Sequence, residues 1–280
     1  MIGFFYSMKK IAIQGIAGAF HQEAAHAYFK ESMDVDGHDT FGGLVDAVAS
    51  GSTPLGIIAI ENTIAGSIHR NYDLLFKAKV QIVGEQVLRI SQHLGAIPGT
   101  ALAQLKEIHS HYMALEQCRD FLNGLPQVKK VESIDTALSV KNVASDHKET
   151  TGAIGSKVAM DMYGLEIIAE AIESDKQNYT RFFIIEPGES QSKAKGNKAS
   201  IRIVLNHQSG SLARFLVEAE KIEGNLSKLE SMVIPGTPWV YAFYVDIGFP
   251  HDTSFDELNK WLSHHTQEHQ ILGIYQNTRS

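Results

Sequence analysis

Apolar residues in this chain come in short bursts, and the spacing within the bursts switches between two periods. Lys10 to Gln14 reads as a short strand that stops at the turn Gly15-Ile16-Ala17-Gly18. From Phe20 to Phe29 the residues Phe20, Ala24, Ala27 and Tyr28 share one face of a helix, and a second helix runs from near Phe41 to Ala49. Gly56 to Ile60 is an apolar strand running into the polar group Glu61-Asn62-Thr63, after which Gly66-Ser67 opens a helix that continues through Tyr72 to Leu75. Val80 to Val83, Glu85 to Ile90 and His93 to Ala96 read as three successive strands.

Further along, Glu107 to Ser110 is a short strand, His111 to Leu122 a helix, Val128 to Val131 a strand and Ser133 to Ala144 a helix. Gly152 to Gly155 and Lys157 to Tyr163 repeat the strand-turn-helix unit. Asn178-Tyr179-Thr180-Arg181 then runs directly into Phe182-Phe183-Ile184-Ile185, an apolar run suited to a buried strand. Pro187 to Asn197 is polar and lacks periodicity, as a linker does. Beyond it, strands over Ser200 to Leu205, Leu226 to Met232, Val240 to Val245 and Ile271 to Tyr275 and helices over Ser211 to Ile222 and Phe255 to Thr266 give the order βαββαβ. That is a ferredoxin-like layout.

At 280 residues, with 44% apolar and 20% charged, the chain is long enough for two domains with ordinary cores. A net charge of −7 argues against a nucleic-acid partner. The single cysteine, Cys118, excludes an internal disulfide and fits a reducing compartment. No apolar run approaches the roughly 18 residues needed to span a membrane. Residues 1–7 lack the basic start and apolar length of a secretory signal, and Met8 is a candidate start, so a cytoplasmic protein is expected. The 13 histidines form no metal-binding spacing, so no metal is expected.

The polar groups at strand ends are the candidate chemistry. In open α/β sheets, ligands bind beyond the carboxyl ends of strands, where Glu61, Asn62 and Thr63 stand. Arg181 offers a fork for a carboxylate, with Thr180 and Asn178 as neutral partners beside it. The residues alone equally allow a surface arginine with a capping threonine, and a helix N-cap at Ser110 with a solvated Gln117. The glycine turn before Phe20 reads as an anion site built from free N–H groups. Its G-x-x-G pattern lacks the G-x-G-x-x-G of a dinucleotide fold, although Asp36 lies near the place of a ribose acid.

Several of these stretches resemble the prephenate dehydratase family. Asn178-Tyr179-Thr180-Arg181-Phe182 is similar to its Asn-x-Thr-Arg-Phe signature. Gly15 to Ala25 resembles its first motif, with Ala19 where a small hydroxyl is common and His21 where Ser often stands. Ala59-Ile60-Glu61-Asn62-Thr63-Ile64-Ala65-Gly66-Ser67 is similar to Pro-Ile-Glu-Asn-Ser/Thr-x-x-Gly-Ser, with Ala59 in place of Pro. Ser110, His111, Gln117 and Cys118 match Ser-His-Pro-Gln-x-x-x-Gln-Cys in register, while Tyr112 and Met113 depart from it. Gly210-Ser211-Leu212 resembles Gly-Ala-Leu, and Asn225-Leu226-Ser227-Lys228-Leu229-Glu230-Ser231 resembles Asn-Leu-Thr-Lys-Ile-Glu-Ser. Both motifs belong to the amino-acid-sensing ACT module, though Met232-Val233 replaces its Arg-Pro.

The resemblance implies an α/β fold: a two-lobed, periplasmic-binding-protein-like catalytic domain over 8–187, a linker over 188–198 and a ferredoxin-like ACT domain over 199–280. Lobe 1 would take 9–80 and 173–187, and lobe 2 would take 81–172. It implies decarboxylation and dehydration of prephenate to phenylpyruvate without a cofactor, in L-phenylalanine biosynthesis, by a monofunctional enzyme. Thr180 would assist the leaving hydroxyl, and Glu61 would orient the pocket or act as the acid. Asn62, Ser110 and Gln117 would hydrogen-bond the substrate, and Arg181 would clamp a carboxylate. Phe182, Asn178, Thr63, Gly66, Ser67 and Phe20 would complete the substrate site. L-Phenylalanine would bind at Gly210, Ser211, Leu212, Asn225, Leu226, Ser227, Glu230 and Ser231, in a homodimer or homotetramer with no nucleic-acid or membrane partner. Arogenate dehydration, or ligand binding without chemistry, is the alternative.

Overall fold

A computed structural model describes residues 10–189, 194–234, 236–237 and 239–277. The expected domain start at residue 8 and residues 190–193 of the expected linker lie outside them. In chain order the elements are β1 (Lys10–Gln14), α1 (Phe20–Phe29), β2 (Asp34–His38), α2 (Phe41–Ala49), β3 (Leu55–Asn62), β4 (Gly66–Ser67), α3 (His69–Lys77) and β5 (Val80–Arg89). There follow β6 (His93–Ala96), β7 (Glu107–His111), α4 (Tyr112–Gln117), α5 (Arg119–Asn123), β8 (Lys129–Ser133), α6 (Thr136–Asp146), β9 (Thr151–Gly155), α7 (Lys157–Tyr163), β10 (Glu166–Ala169) and β11 (Tyr179–Pro187). The last are β12 (Lys195–Val204), α8 (Ser211–Lys221), β13 (Asn225–Val233), β14 (Tyr241–Ser254), α9 (Phe255–His265) and β15 (Glu268–Tyr275).

The strands form three sheets among the described residues. The first has the order β2-β1-β3-β11-β5, with β4 paired to β3; the second is β10-β6-β9-β7-β8; the third is β13-β14-β12-β15. The first two are mixed sheets, with parallel pairs such as β1–β2 and β7–β8 and antiparallel pairs such as β3–β4 and β6–β9. The third is antiparallel throughout, as the βαββαβ order requires. By packing, the chain divides into two compact units. One comprises described residues within Met1–Leu44, Glu61–Ser67 and Val87–Phe182, and the other those within Val45–Ile60, Ile68–Gln86 and Phe183–Ser280. No helix among the described residues is long and apolar enough to cross a membrane.

Several element boundaries differ from the sequence reading. Val80–Arg89 is one strand, not two, and it belongs to the first sheet although the sequence assigned it to the second lobe. A glycine at position 84 weakens a strand without ending it. Gly66–Ser67 does not open a helix: it pairs antiparallel with Glu61 and Asn62, and α3 begins at His69. The helix expected over 111–122 breaks at Cys118 into α4 and α5. Strand β2 was not anticipated. Its sequence, Asp-Val-Asp-Gly-His, carries little apolar signal because it lies at a sheet edge.

The third sheet shows how alternation builds the C-terminal fold. Along β12, Ala199, Ile201 and Ile203 point one way, into a core with Phe215 of α8 and Leu258 and Leu262 of α9. The intervening Lys198, Ser200 and Arg202 are also buried, so the opposite face of the sheet is covered too. Each has a partner there. Lys198 Nζ bonds both Glu85 oxygens at 2.7 and 2.9 Å, Ser200 Oγ bonds Asp246 Oδ1 at 2.5 Å, and the Arg202 guanidinium lies 4.0 Å from the Phe76 ring centre.

Candidate functional site

Asn62, at the carboxyl end of β3, is the hub of the site. Its Nδ2 donates to Asn178 Oδ1 (2.7 Å), Thr180 Oγ1 (3.0 Å) and the Tyr179 carbonyl (3.1 Å). Its Oδ1 accepts the backbone N–H groups of Ile64 and Ala65, which closes the turn after the strand. Thr63 stitches the same two segments together. Its hydroxyl donates to the Gln177 carbonyl at 2.8 Å and accepts the Tyr179 N–H at 2.9 Å. Thr180 is 9% exposed. Because its oxygen already accepts from Asn62, its own hydrogen is left for another acceptor.

Arg181 is 3% exposed and lies 3.4 Å from Glu61, which is 28% exposed. A buried guanidinium needs paired carboxylates to offset its lost hydration. The Asn178 Nδ2 is buried without an acceptor, a bonding deficit that a ligand oxygen would complete. Gly66 and Ser67 face Asn62 and Glu61 across the β3–β4 pair. The structure thus brings Glu61, Asn62, Thr63, Gly66, Ser67, Asn178, Thr180 and Arg181 together, although 110 or more residues separate the two segments.

The remaining predicted residues stand differently. Ser110 is fully buried inside β7 rather than capping α4, and its hydroxyl donates to the Ile154 carbonyl at 2.8 Å. The cap of α4 is His111, whose Nδ1 accepts the Met113 N–H. Gln117 Oε1 accepts from Gln92 Nε2 at 3.2 Å, and its carbonyl accepts the Ser174 N–H at 2.7 Å. Phe182 is 1% exposed and meets His21 edge-on at 5.1 Å. Phe20 is the half-buried first residue of α1.

The glycine turn is less open to anions than its pattern suggests. The Gly15 N–H donates to the His38 carbonyl, the Ala19 N–H to Ile16, and the Gly18 N–H to Gln22 Oε1 at 2.7 Å. The turn is gripped from the other side as well. Ser156 Oγ donates to the Gly18 carbonyl and Tyr163 OH to the Ala17 carbonyl. Gly15, at φ +94°, could not be replaced without strain, and a Cβ there would lie 2.9 Å from Asp135 Oδ2.

Sequence reasoning missed Asp135, Gln92 and Glu173. Asp135 caps α6 through the Leu138 N–H, and burial raises its carboxyl above the ordinary range. An Asp just before Thr-Ala-Leu was the available signal. Glu173 is buried, bonded to the Gln92 N–H at 2.9 Å and to Arg89 at 3.1 Å, and nothing in the sequence distinguishes it from a solvated loop acid. Burial lowers the His21 pKa to about 4, so its ring is neutral at pH 7. Burial pushes the Cys118 thiol up to about 12, which removes it as a nucleophile.

In the C-terminal unit, Gly210, in the left-handed region at φ +78°, precedes α8. Gly210, Ser211 and Leu212 line a 230 Å³ cavity with Val240, Tyr241 and Phe243. Asn225, Leu226, Ser227, Glu230 and Ser231 lie on edge strand β13 and do not line that cavity. On β13 the side chains of Asn225, Ser227 and Ser231 are exposed, while those of Leu226 and Glu230 are half-buried. Glu230 bonds His69 at 2.8 Å.

The prephenate dehydratase family model matches residues 11–190. Arogenate dehydratase/prephenate dehydratase 1, chloroplastic, of Arabidopsis thaliana is 34% identical over 286 residues, covering 96% of this chain and 72% of that protein. Among solved structures, GqqA, described as a novel type of quorum-quenching acylase, aligns with a TM-score of 0.85 at 28% identity, over 96% of this chain and 98% of that one. The prephenate dehydratase of Arthrobacter aurescens in complex with L-Phe aligns with a TM-score of 0.80 at 23% identity, over 96% of this chain and 90% of that one, and shares the fold. With the Asn62–Thr180 network at its centre and a family match over most of its length, the chain belongs to the prephenate dehydratase family.

Proposed function

We propose that the protein converts prephenate to phenylpyruvate, carbon dioxide and water. The observation that carries this reading is the 3.0 Å bond from Asn62 to Thr180 Oγ1, which leaves the threonine hydrogen to be donated. In the reaction, the C–C bond to the ring carboxylate breaks and its electron pair enters the ring. The C–O bond to the ring hydroxyl breaks in turn, and the departing oxygen takes up a proton as water. Aromatisation drives the step, so no electron-sink cofactor is needed. A hydrogen bond from Thr180 to the departing oxygen, strengthening as charge develops there, would contribute about 10²–10⁴-fold. Arg181 holds one carboxylate of the substrate beside Glu61, and the Asn178 amide offers a further donor. Gln117 contacts the substrate from α4, and Ser110 fixes the strand before it. Absorbance of phenylpyruvate formed from prephenate tests the proposal, and the same assay on arogenate decides between the two substrates.

Residues 8–187 would form the catalytic part and 199–280 the regulatory part, with L-phenylalanine as effector. The cavity at Gly210, Ser211 and Leu212 supports this, since a helix start suits a carboxylate and Phe243 and Val240 suit a ring. Edge strand β13 exposes Leu229 (40%) and Val233 (58%), which supports pairing with a second copy. Sedimentation should then report a dimer or larger species, and a monomer at micromolar concentration would contradict it.

The likeness to the acylase GqqA supports a second reading, hydrolysis of an acyl amide. Buried Cys118 supplies no nucleophile for it. Turnover of an acyl-amide substrate without turnover of prephenate would favour that reading.

A further inference from the structure

Two glutamines from separate parts of the chain meet through their amides. Gln92, in the connection between β5 and β6, donates from Nε2 to Gln117 Oε1 at 3.2 Å. Both are held by three consecutive residues ahead of β11. The Ile172 N–H donates to the Gln92 carbonyl at 2.8 Å, and Glu173 Oε2 accepts the Gln92 N–H at 2.9 Å. The Ser174 N–H donates to the Gln117 carbonyl at 2.7 Å. Glu173 is fixed in turn. Its side chain is unexposed, and its Oε1 accepts from Arg89 at 3.1 Å. The same strip of chain reaches Asn178. The Ile90 N–H, two residues before Gln92, donates to the Asn178 carbonyl at 2.8 Å, and Asn178 Oδ1 accepts from Asn62 at 2.7 Å.

The direction of the bond between the two amides decides what Gln117 can offer. A glutamine amide turns about a broad two-fold torsion, and its two ends play opposite roles, one accepting and one donating. With Gln92 donating, Gln117 uses its oxygen, and its NH2 group is left to donate to a ligand. Prephenate carries two carboxylates, which only accept, so the reversed amide would set oxygen against oxygen. Gln92 is 2% exposed, and its own Oε1 is buried with no donor. A buried amide with one bare end costs stability, and an apolar side chain of equal length would fill the same volume without that deficit. Packing alone therefore does not account for a glutamine at this position.

We propose that Gln92 is a positioning residue for the reaction: clamped by residues 172–174, it turns the Gln117 amide so that its NH2 group meets a substrate carboxylate. Glu173 acts through Gln92 by holding its backbone. The proposal rests on the reading of Gln117 as a substrate contact.

The test is a double-variant cycle in the full chain, with Gln92→Met, Gln117→Met and the two combined. For each, kcat and KM are measured on prephenate, or on arogenate where that is the substrate, together with the melting temperature. Methionine is as long as glutamine and has no donor. Each single change should lower kcat/KM about tenfold, mainly through KM, and the combined change should lose no more than Gln117→Met alone. Glu173→Ala should reproduce the Gln92→Met loss, and Glu173→Gln, which keeps an oxygen for the Gln92 N–H, should restore most of it. A side chain that served only the fold would lower the melting temperature and leave KM where it was. Losses that multiply in the combined variant, or unmodified kinetics in Gln92→Met, overturn the positioning role and leave Gln117 as a substrate contact. Unmodified kinetics in Gln117→Met overturn that contact and this proposal with it. An unmodified chain that turns over neither prephenate nor arogenate overturns the proposed function and this proposal together.

Discussion

Asn62 holds a donor role and an acceptor role that substitution can separate. Asn62→Asp keeps the oxygen that accepts from Ile64 and Ala65 but loses the donor that Thr180 and Asn178 receive. Its kcat should fall about 10²-fold with the turn intact, whereas Asn62→Ala should also cost about 1–3 kcal/mol of stability, read from urea unfolding. His21 makes a pH-dependent contribution. Its folded pKa, about 4, lies below the ordinary histidine value of about 6.5, so the unfolded chain binds the proton more readily. The resulting stability is complete above pH 6.5 and is lost as pH falls toward 4, about 3 kcal/mol in all. Urea unfolding at pH 7 and pH 4 should show that loss in the unmodified protein and a correspondingly smaller loss in His21→Phe. At this scale the sequence was most legible where polar residues interrupt an apolar strand, as at Glu61-Asn62-Thr63 and Asn178-Tyr179-Thr180-Arg181. Glu173 and Gln92 were invisible because what sets them apart is burial by distant segments.

Among the elements, long apolar strands were legible and edges were not. Strands β3 and β11 were found because their residues are buried on both faces, while β2 carries two aspartates and a glycine at a sheet edge. Strand β14, expected over Val240 to Val245, continues through Gly248-Phe249-Pro250 to Ser254. Close approach between elements leaves a sharper signature in glycine. A Cβ on Gly273 of β15 would run into the Ile82 carbonyl oxygen of β5. Backbone offers little room to yield, so Gly273→Ala should destabilise by about 1–3 kcal/mol, seen as a lowered Tm.

For the whole molecule, the Lys198–Glu85 pair shows what a single sequence conceals. The two residues are 113 positions apart, both are essentially unexposed, and the lysine bonds both carboxylate oxygens. Removing only one partner strands a buried charge, so Lys198→Met should cost about 3–5 kcal/mol, and the double change Glu85→Leu with Lys198→Met should recover most of it. The βαββαβ tail was readable from element order, whereas the two α/β lobes were expected from the family motifs. Which polar face of the third sheet is covered, and by what, was not, because alternation reveals two faces without naming their partners. The hydrogen bond from Thr180 to the departing oxygen carries the proposed chemistry. Its most direct test is kcat on prephenate for Thr180→Ser and Thr180→Val side by side with the unmodified protein. Serine should keep kcat within about tenfold, valine should lose about 10²-fold or more, and KM should change little in either. Valine turning over as fast as threonine would contradict it.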